Sequence, residues 1–395
     1  MSEVWKEYQL KLFFSADIVG STAFKQKPNN ASKAWFDAVL AFYHQAELEF
    51  LRKWKDFKSK IDESGEPGHP WFGDEPVVWK TVGDEILFVK NISHPMQAFL
   101  SLKAWIATLE EIRKNLQRKH GLDVKSSAWL AEFPLKNREI VLGEARPNGE
   151  DDFDLLNERA LQAFYKNGLG GTNKNLVRDF IGPSIDTGFR LGGFTSPRKL
   201  VLSVELAHVL ACEQSYAEVN DKWHSIGPSN ISRFIFRYEG RHALKGVLGG
   251  SPYPIFWLDL DPENRMHRAE DDLLDTRRPS ASKVQEFTTA ILEEYSRYLS
   301  FPMFCNSQKV SSDNSNGFAD CHTIVSHEIE EAIASYKQDI VDREEKRRNE
   351  LTDIGESKDE PQTEDNKELV ESIHKKLRAR DRHPPSPLRY GFFDN

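Results

Sequence analysis

The sequence has little cysteine and no long apolar run among its 395 residues. Its three cysteines, Cys212, Cys305 and Cys321, are scattered and odd in number, which favours reduced thiols in a cytoplasmic protein over a disulfide framework. No run of eighteen apolar residues and no N-terminal signal pattern is present, so we expect no membrane partner. Internal repeats and the paired CxxC spacing of a zinc site are also missing.

An excess of positive charge is missing as well. Lysine and arginine number 53 against 62 aspartate and glutamate, for a formal net charge of −9. A general nucleic-acid surface requires clustered positive charge, so we expect no nucleic-acid partner. The hydrophobic fraction of 39% is sufficient for a folded core, and the length allows two or three domains or one large domain with an appendage.

The stretch LKLFFSADIVGSTAF at residues 10–24 combines two chemical features. An apolar run predicts a buried strand that ends near Asp17, and the small residues Gly20, Ser21 and Thr22 predict a turn before a helix. A carboxylate at a strand end can hold a divalent cation, and free backbone N–H groups of the turn can hold phosphate oxygens. For this stretch alone, a strand that ends in an ordinary Asp turn is the alternative.

A second stretch, VVWKTVGDEILFV at residues 77–89, predicts a β-hairpin with Asp84 at its tip. If the hairpin lies beside the first strand, Asp17 and Asp84 converge. Two carboxylates next to a phosphate-binding turn suit a two-metal phosphoryl-transfer site. An ordinary surface hairpin is the alternative.

Two further stretches are RDFIGPSIDTGFRL at residues 178–191 and LKGV at residues 244–247. In the first, Asp186 and Arg190 are one helical turn apart, so a helix would point both side chains the same way. All four stretches, in this order, resemble the catalytic domain of class III nucleotidyl cyclases over roughly residues 8–260. That family has Asp, Asn and Arg at the spacing of Asp179, Asp186 and Arg190, so Asp186 departs from the usual Asn.

The resemblance implies that a nucleoside triphosphate is the substrate and is cyclised with release of pyrophosphate. Asp17, Asp84 and the carbonyl of Ile18 would hold two Mg²⁺ or Mn²⁺ ions, and Arg190 and Asp186 would be catalytic. The resemblance also implies that phosphate oxygens are bound by Val19, Gly20, Ser21, Thr22 and, with less support, Lys245.

In the family, the metal site and the arginine come from different protomers. Asp17 and Asp84 of one chain would face Asp179 and Arg190 of another. Because this chain carries one copy of each half, the resemblance implies a head-to-tail homodimer with two equivalent sites at its interface.

Two features of the sequence disagree about which base the nucleoside triphosphate carries. Lys80 and Asp179 stand where adenylate cyclases carry their adenine-reading pair, which favours ATP. The amino-acid sequence of residues 77–88, together with SAWLAEFP at residues 127–134, is most similar to the sequences of the bacterial pyrimidine cyclases of Pycsar anti-phage defence. Those enzymes make cyclic UMP or cyclic CMP. Trp79, Phe180 and Tyr43 would narrow the base pocket for a single ring. We follow this closer resemblance, with UTP slightly favoured over CTP and with a separate effector that receives the diffusing cyclic nucleotide.

Three alternatives remain open. An adenylate cyclase would share every metal-binding residue and differ in the base pocket. A degenerate cyclase domain that senses nucleotides is consistent with Asp186, although Asp17, Asp84 and Arg190 argue against it. A metal-dependent nuclease or polymerase palm would also pair carboxylates, but it would need a basic template surface that this acidic chain does not offer.

Hydrophobic periodicity predicts a ferredoxin-like α+β fold with a mostly antiparallel sheet and flanking helices. Beyond the strands already described, the predicted strands are 124–133, 138–142, 199–203 and 233–238. The predicted helices are 31–55, 93–119 with Ser93 as its cap, 155–165, 205–212, 283–299 and 327–341. The predicted domains are a catalytic domain at 8–260, a helical extension at 261–345, and a charged tail at 346–395 that is either a solvated helix or disordered.

Overall fold

The computed structural model describes residues 4–26, 32–63, 71–143, 152–167, 176–220, 233–275, 278–304 and 319–356. Met1–Lys337 forms one compact unit and Gln338–Asn395 forms another. The part of the predicted charged tail that follows residue 356 lies outside the described residues.

Among the described residues, seven strands form one sheet and two form another. The strands are β1 Gln9–Val19, β2 Val77–Val82, β3 Glu85–Ile92, β4 Asp123–Phe133, β5 Arg138–Leu142, β6 Val177–Ile181, β7 Lys199–Leu202, β8 Phe236–His242 and β9 Tyr253–Asp259. The large sheet has the order β2-β3-β1-β4-β7-β9-β8, and β5 pairs with β6. Every pair is antiparallel except β4 with β7.

The helices in the described part of the chain flank this sheet and continue after it. They are α1 Ser21–Lys25, α2 Ser32–Glu63, α3 Pro95–His120, α4 Phe153–Asn167, α5 Pro183–Leu191, α6 Val204–Asn220, α7 Arg265–Leu273, α8 Ala281–Glu294 and α9 Ala319–Glu356. Within the described residues, no helix has an apolar stretch long enough to cross a membrane.

Strand β1 lies inside the large sheet, between β3 and β4, and is buried on both faces. Phe14 packs on one face against Phe50 of α2 and Trp105 of α3, with ring centroids 5.1 and 5.5 Å apart. Phe13 points to the other face and stacks on Trp129 of β4 at 5.4 Å. Burial on both faces explains why this strand has a continuous apolar run instead of alternating residues.

The α+β architecture with a mostly antiparallel sheet is confirmed, and helices do follow the sheet. Strand β6 and helix α7 were not predicted, and the other local differences lie at element ends. Helix α3 is capped by His94, whose Nδ1 accepts from the Met96 N–H at 3.1 Å, and not by Ser93 as predicted. Helix α2 runs on through a charged stretch of good helix formers, and α8 ends at Glu294, before the predicted end.

Candidate active site

Asp17 lies near the end of β1, between Glu85 of β3 and Lys125 of β4 in the strand register. Lys125 Nζ lies 3.1 Å from Asp17 Oδ2. Burial raises the pKa of the Asp17 carboxyl, Lys125 acts against this shift, and the nearby Asp84 carboxylate adds to it. Asp17 is therefore a half-buried acid with a second carboxylate close by.

Asp84 belongs to the turn between β2 and β3, as predicted for the hairpin at residues 77–89. The Ser21 hydroxyl donates a hydrogen bond to Asp84 Oδ2, and Lys25 Nζ lies 3.2 Å from Asp84 Oδ1. Both partners come from α1, so the first and second sequence stretches meet here. The pairing of β3 with β1 brings Asp84 next to Asp17, as the sequence led us to expect.

The donor chemistry of this pair suits Mg²⁺ or Mn²⁺. A third acid, Glu85, is hydrogen-bonded to the Ser15 hydroxyl, and its pKa is raised by burial and by Asp17. Across the described part of the chain, no three or more His, Cys, Asp or Glu side chains are grouped so as to hold a metal by themselves. Asp17 and Asp84 would therefore need further oxygen ligands, such as the Ile18 carbonyl and the phosphates of a bound nucleotide.

The predicted phosphate-binding turn is a junction between strand and helix. Val19 is the last residue of β1, Gly20 takes a left-handed conformation at φ 83°, and Ser21 and Thr22 begin α1. A residue with a Cβ would be strained at Gly20, so glycine allows the chain to turn into the helix here. The role of these residues in phosphate binding stays a prediction.

Tyr43 of α2 reaches the same turn. Its hydroxyl donates to the Gly83 carbonyl at 2.6 Å, and burial together with Asp84 raises its pKa. The structure thus places the Tyr43 hydroxyl at the turn that carries Asp84, and no hydrogen bond within the described residues joins it to Lys80 or Asp179. Its predicted part in base binding stays a prediction.

Lys80 and Asp179 form an ion pair. Lys80 Nζ lies 2.8 and 3.0 Å from the two Asp179 oxygens, and Trp79 Nε1 donates to Asp179 Oδ1 at 3.0 Å. Aromatic rings surround the pair, since Lys80 lies over Trp79 at 4.3 Å and Trp79 contacts Phe180 at 5.2 Å. Two residues far apart in the sequence are thus joined next to a group of large aromatic side chains.

Helix α5 carries Asp186 and Arg190. Arg190 Nη1 donates to the Asp186 carbonyl at 2.9 Å, and the Asp186 carboxylate is exposed. Both residues line a cavity of about 500 Å³, the size of a small-molecule site. Gly246 also lines it, directly after the exposed Lys245.

Asp17 and Asp84 do not line this cavity. Within one chain, the predicted site residues therefore fall into separate groups: the paired carboxylates, the Lys80–Asp179 ion pair, and the cavity with Asp186 and Arg190.

Lys125, Lys25 and Glu85 were not among the residues predicted for this site. Lys125 lies on a strand distant in sequence, and only its register opposite Asp17 reveals the contact. Glu85 directly follows Asp84, so its proximity was the one signal available in the sequence.

No protein-family model matches the chain, and no curated protein matches it. Solved structures match at low identity. The adenylyl cyclase CyaB from P. aeruginosa is 14% identical with a TM-score of 0.37, and the match covers 64% of this chain and 94% of that one. The guanylate cyclase domain of RhGC from Catenaria anguillulae, in complex with GTP, is 12% identical with a TM-score of 0.35 and covers 64% and 97%. The guanylyl cyclase Cya2 is 13% identical with a TM-score of 0.33 and covers 64% and 92%. These scores are too low to carry a functional argument.

Proposed function

We propose that this protein is a class III nucleotidyl cyclase that converts UTP, or CTP, to the 3′,5′-cyclic nucleotide and pyrophosphate. The observation that carries the proposal is the convergence of Asp17 and Asp84, which belong to separate sequence stretches and meet where β1 ends and the β2–β3 hairpin turns. This is the arrangement that the resemblance of the sequence stretches to class III cyclases requires.

The reaction is intramolecular. The ribose 3′ oxygen attacks the α-phosphorus, the bond from that phosphorus to the bridging oxygen of the β-phosphate breaks, and pyrophosphate leaves while the hydroxyl proton passes to water. Two Mg²⁺ or Mn²⁺ ions, when bound, would lower the pKa of the 3′ hydroxyl and neutralise charge on the triphosphate. Asp17, Asp84 and the Ile18 carbonyl are the groups that would hold them, and the protein contributes mainly positioning and charge neutralisation.

The other groups divide between phosphate and sugar. The N–H groups of Val19 to Thr22 and the ammonium of Lys245 bind phosphate oxygens in this proposal. Arg190 stabilises the charge that develops on the α-phosphate. Asp186 as a carboxylate accepts hydrogen bonds and does not donate them, so we assign it to a ribose hydroxyl instead of a phosphate oxygen.

We further propose a head-to-tail homodimer with two sites. Its support is the separation of the two groups within one chain, since Arg190 lines a cavity that Asp17 and Asp84 do not reach. A second copy can bring the carboxylates of one protomer to the Arg190 of the other, and head-to-tail symmetry repeats that contact twice.

The proposed pyrimidine specificity is supported by the aromatic surroundings of Asp179. Trp79 and Lys80 both bind this carboxylate, and Phe180 and Phe189 lie against the Trp79 ring at 5.2 and 6.0 Å. Large rings at a base pocket favour a base with one ring over a base with two. The resemblance of the sequence to Pycsar cyclases adds a proposed role in anti-phage defence, in which a separate effector binds the diffusing cyclic nucleotide.

Adenylate cyclase is the second candidate, and one observation favours it. Lys80 and Asp179 are in direct contact at 2.8 Å, and they stand where adenylate cyclases carry their adenine-reading residues. A pair that is already formed in this way could read the amine and the ring nitrogen of adenine.

The test is a competition assay. Purified full-length protein is incubated with equal ATP, GTP, CTP and UTP plus Mn²⁺, and the cyclic products are identified by mass spectrometry. If cyclic UMP or cyclic CMP is the main product, the assay supports the proposed pyrimidine specificity. If cyclic AMP is the main product, that specificity is wrong and the protein is an adenylate cyclase.

The Asp17→Ala variant separates an enzyme from a nucleotide sensor. A cyclase should lose synthesis by roughly a thousandfold or more, because the metal site is lost. A wild-type protein that binds nucleotides and makes no cyclic product would contradict the cyclase proposal and leave the sensor.

A further inference from the structure

The cavity next to Arg190 has a wall that the cyclase-like region does not supply. Arg297, Tyr298 and Leu299, which follow helix α8, line the same space of about 500 Å³ as Asp186 and Arg190. These three residues lie beyond residues 8–260, the range that resembles the cyclase domain. The helical extension therefore contributes directly to a site that the sequence assigned to the catalytic domain alone.

The charges around this cavity leave two guanidinium groups free for a ligand. Arg190 donates to a backbone carbonyl, and within the described part of the chain neither it nor the exposed Arg297 forms an ion pair. The acids that line the cavity are Asp186 and Glu205. Burial raises the pKa of the Glu205 carboxyl, and its hydrogen bond with Ser203 and the nearby Lys136 act against this shift.

The segment that carries Arg297 is fixed on the cyclase-like region. Helix α8 packs on α6, where Thr288 Oγ1 lies 3.0 Å from His208 Nδ1. Beyond the helix, the N–H groups of Tyr298 and Leu299 both donate to the Tyr295 carbonyl, at 2.8 and 2.9 Å. These bonds form a tight turn that contains Arg297.

Contacts on the far side of that turn complete its attachment. Leu299 is buried, and the Ser300 hydroxyl donates to Glu132 Oε1 at 3.0 Å. The Tyr298 ring lies against Gly249, where an added Cβ would collide with it. A turn held on both sides fixes the backbone that carries Arg297, so ligand binding has to order only the side chain.

We infer that Arg297 is a second phosphate-binding residue of the Arg190 cavity, and that it binds the β- and γ-phosphates of the nucleoside triphosphate. The inference deepens the proposed cyclase function and rests on it. A guanidinium group binds phosphate through two parallel hydrogen bonds, so Arg297 would hold the pyrophosphate portion while Arg190 acts at the α-phosphate. The helical extension is then part of the substrate site.

The test compares Arg297→Ala and Arg297→Lys with Lys283→Ala in the full-length protein. Lys283 is an exposed cation of α8 that does not line the cavity, so its removal matches the change in net charge. Two quantities are measured: KM and kcat for the preferred triphosphate with Mn²⁺, and the affinity for tripolyphosphate without metal by calorimetry. The second measurement needs no catalysis.

Arg297→Ala should raise KM and weaken tripolyphosphate binding, each by about tenfold or more, since a charged hydrogen-bonded pair is lost. For Arg297→Lys, KM and tripolyphosphate affinity should lie between those of the wild type and those of Arg297→Ala. Lysine keeps the positive charge but cannot form the two parallel hydrogen bonds. Lys283→Ala should match the wild type.

An Arg297→Ala protein that matches Lys283→Ala in both measurements overturns the inference while the cyclase function stands. A wild type that makes no cyclic nucleotide but binds tripolyphosphate through Arg297 overturns the proposed function and keeps the phosphate site. A protein that neither cyclises nor binds tripolyphosphate overturns both.

Discussion

Lys90 is a charged residue inside the hydrophobic core. Its side chain is 2% exposed, and its ammonium donates to the Phe72 carbonyl and to Ser101 Oγ, the latter at 2.9 Å. It also lies over the Trp54 ring at 5.0 Å. Burial lowers the pKa of Lys90 from 10.5 to about 7, so the core holds an amine that is easily neutralised.

We predict that Lys90→Met changes how stability depends on pH. Between pH 7 and pH 10.5 the unfolded wild type binds a proton at Lys90 that the folded protein does not, so its stability rises with pH over this window. The unfolding free energy of wild type relative to Lys90→Met should rise by up to about 1.4 kcal/mol per pH unit there. Denaturant unfolding at several pH values measures this difference.

The exposed Lys119→Met variant serves as the control, since its pH curve should run parallel to that of the wild type. Lys103, whose pKa is also lowered by burial, is present in all three proteins and cancels in the comparison. Parallel curves for wild type and Lys90→Met would show that Lys90 stays charged in the core.

At the scale of the element, α5 carries Asp186 and Arg190 and makes an unusually close contact with β4. Gly188 faces the Trp129 ring of β4, and a Cβ at this position would lie 2.6 Å from Trp129 Nε1. A glycine therefore allows the helix to lie directly on the indole ring, and any larger residue has to push the helix away from the sheet.

We predict that Gly188→Ala lowers both stability and catalysis. Overpacking should reduce the unfolding free energy by about 1–3 kcal/mol. The displaced helix should move Arg190 and lower kcat by roughly tenfold or more. Thermal unfolding and steady-state kinetics measure the two effects.

Gly192→Ala, at the end of the same helix, is the matched control. Gly192 has helical φ and ψ of −54° and −25°, and an added Cβ meets nothing within 4 Å. It should stay within about 0.5 kcal/mol of the wild type. Equal behaviour of the two alanine variants would rule out the close contact as the feature that positions α5.

At the scale of the whole molecule, the proposed homodimer takes the two halves of its site from different protomers. We predict that Asp84→Asn and Arg190→Ala, each inactive alone, complement each other in a mixed dimer. One of the two sites in that dimer carries neither change. Random assembly of the two variants should therefore restore about a quarter of wild-type activity.

The measurement is cyclic nucleotide synthesis after co-expression of the two variants with different tags. Co-expression of Asp84→Asn with Asp17→Ala, which alter the same half, is the control and should stay inactive. If Arg190→Ala fails to complement Asp84→Asn in dimers shown to be mixed, the site lies within one chain.

The sequence by itself determined most local structure and the paired carboxylates. The apolar run before Asp17 and the Gly-Asp turn with Asp84 are local signals, because strand and turn preferences act over a few residues. The ends of helices and strands were harder to predict from the sequence, as the cap of α3 at His94 shows. Side-chain geometry decides which neighbouring residue binds the free N–H groups at the start of a helix.

Only the tertiary structure decided which distant residues meet. Lys125 reaches Asp17 through the register of β4 against β1, and Arg297 reaches the Arg190 cavity through the packing of α8 on α6. No local sequence pattern near Lys125 or Arg297 indicates either contact. The physical reason is that both depend on strand pairing and burial over the whole chain, which bring together side chains with no local preference for each other.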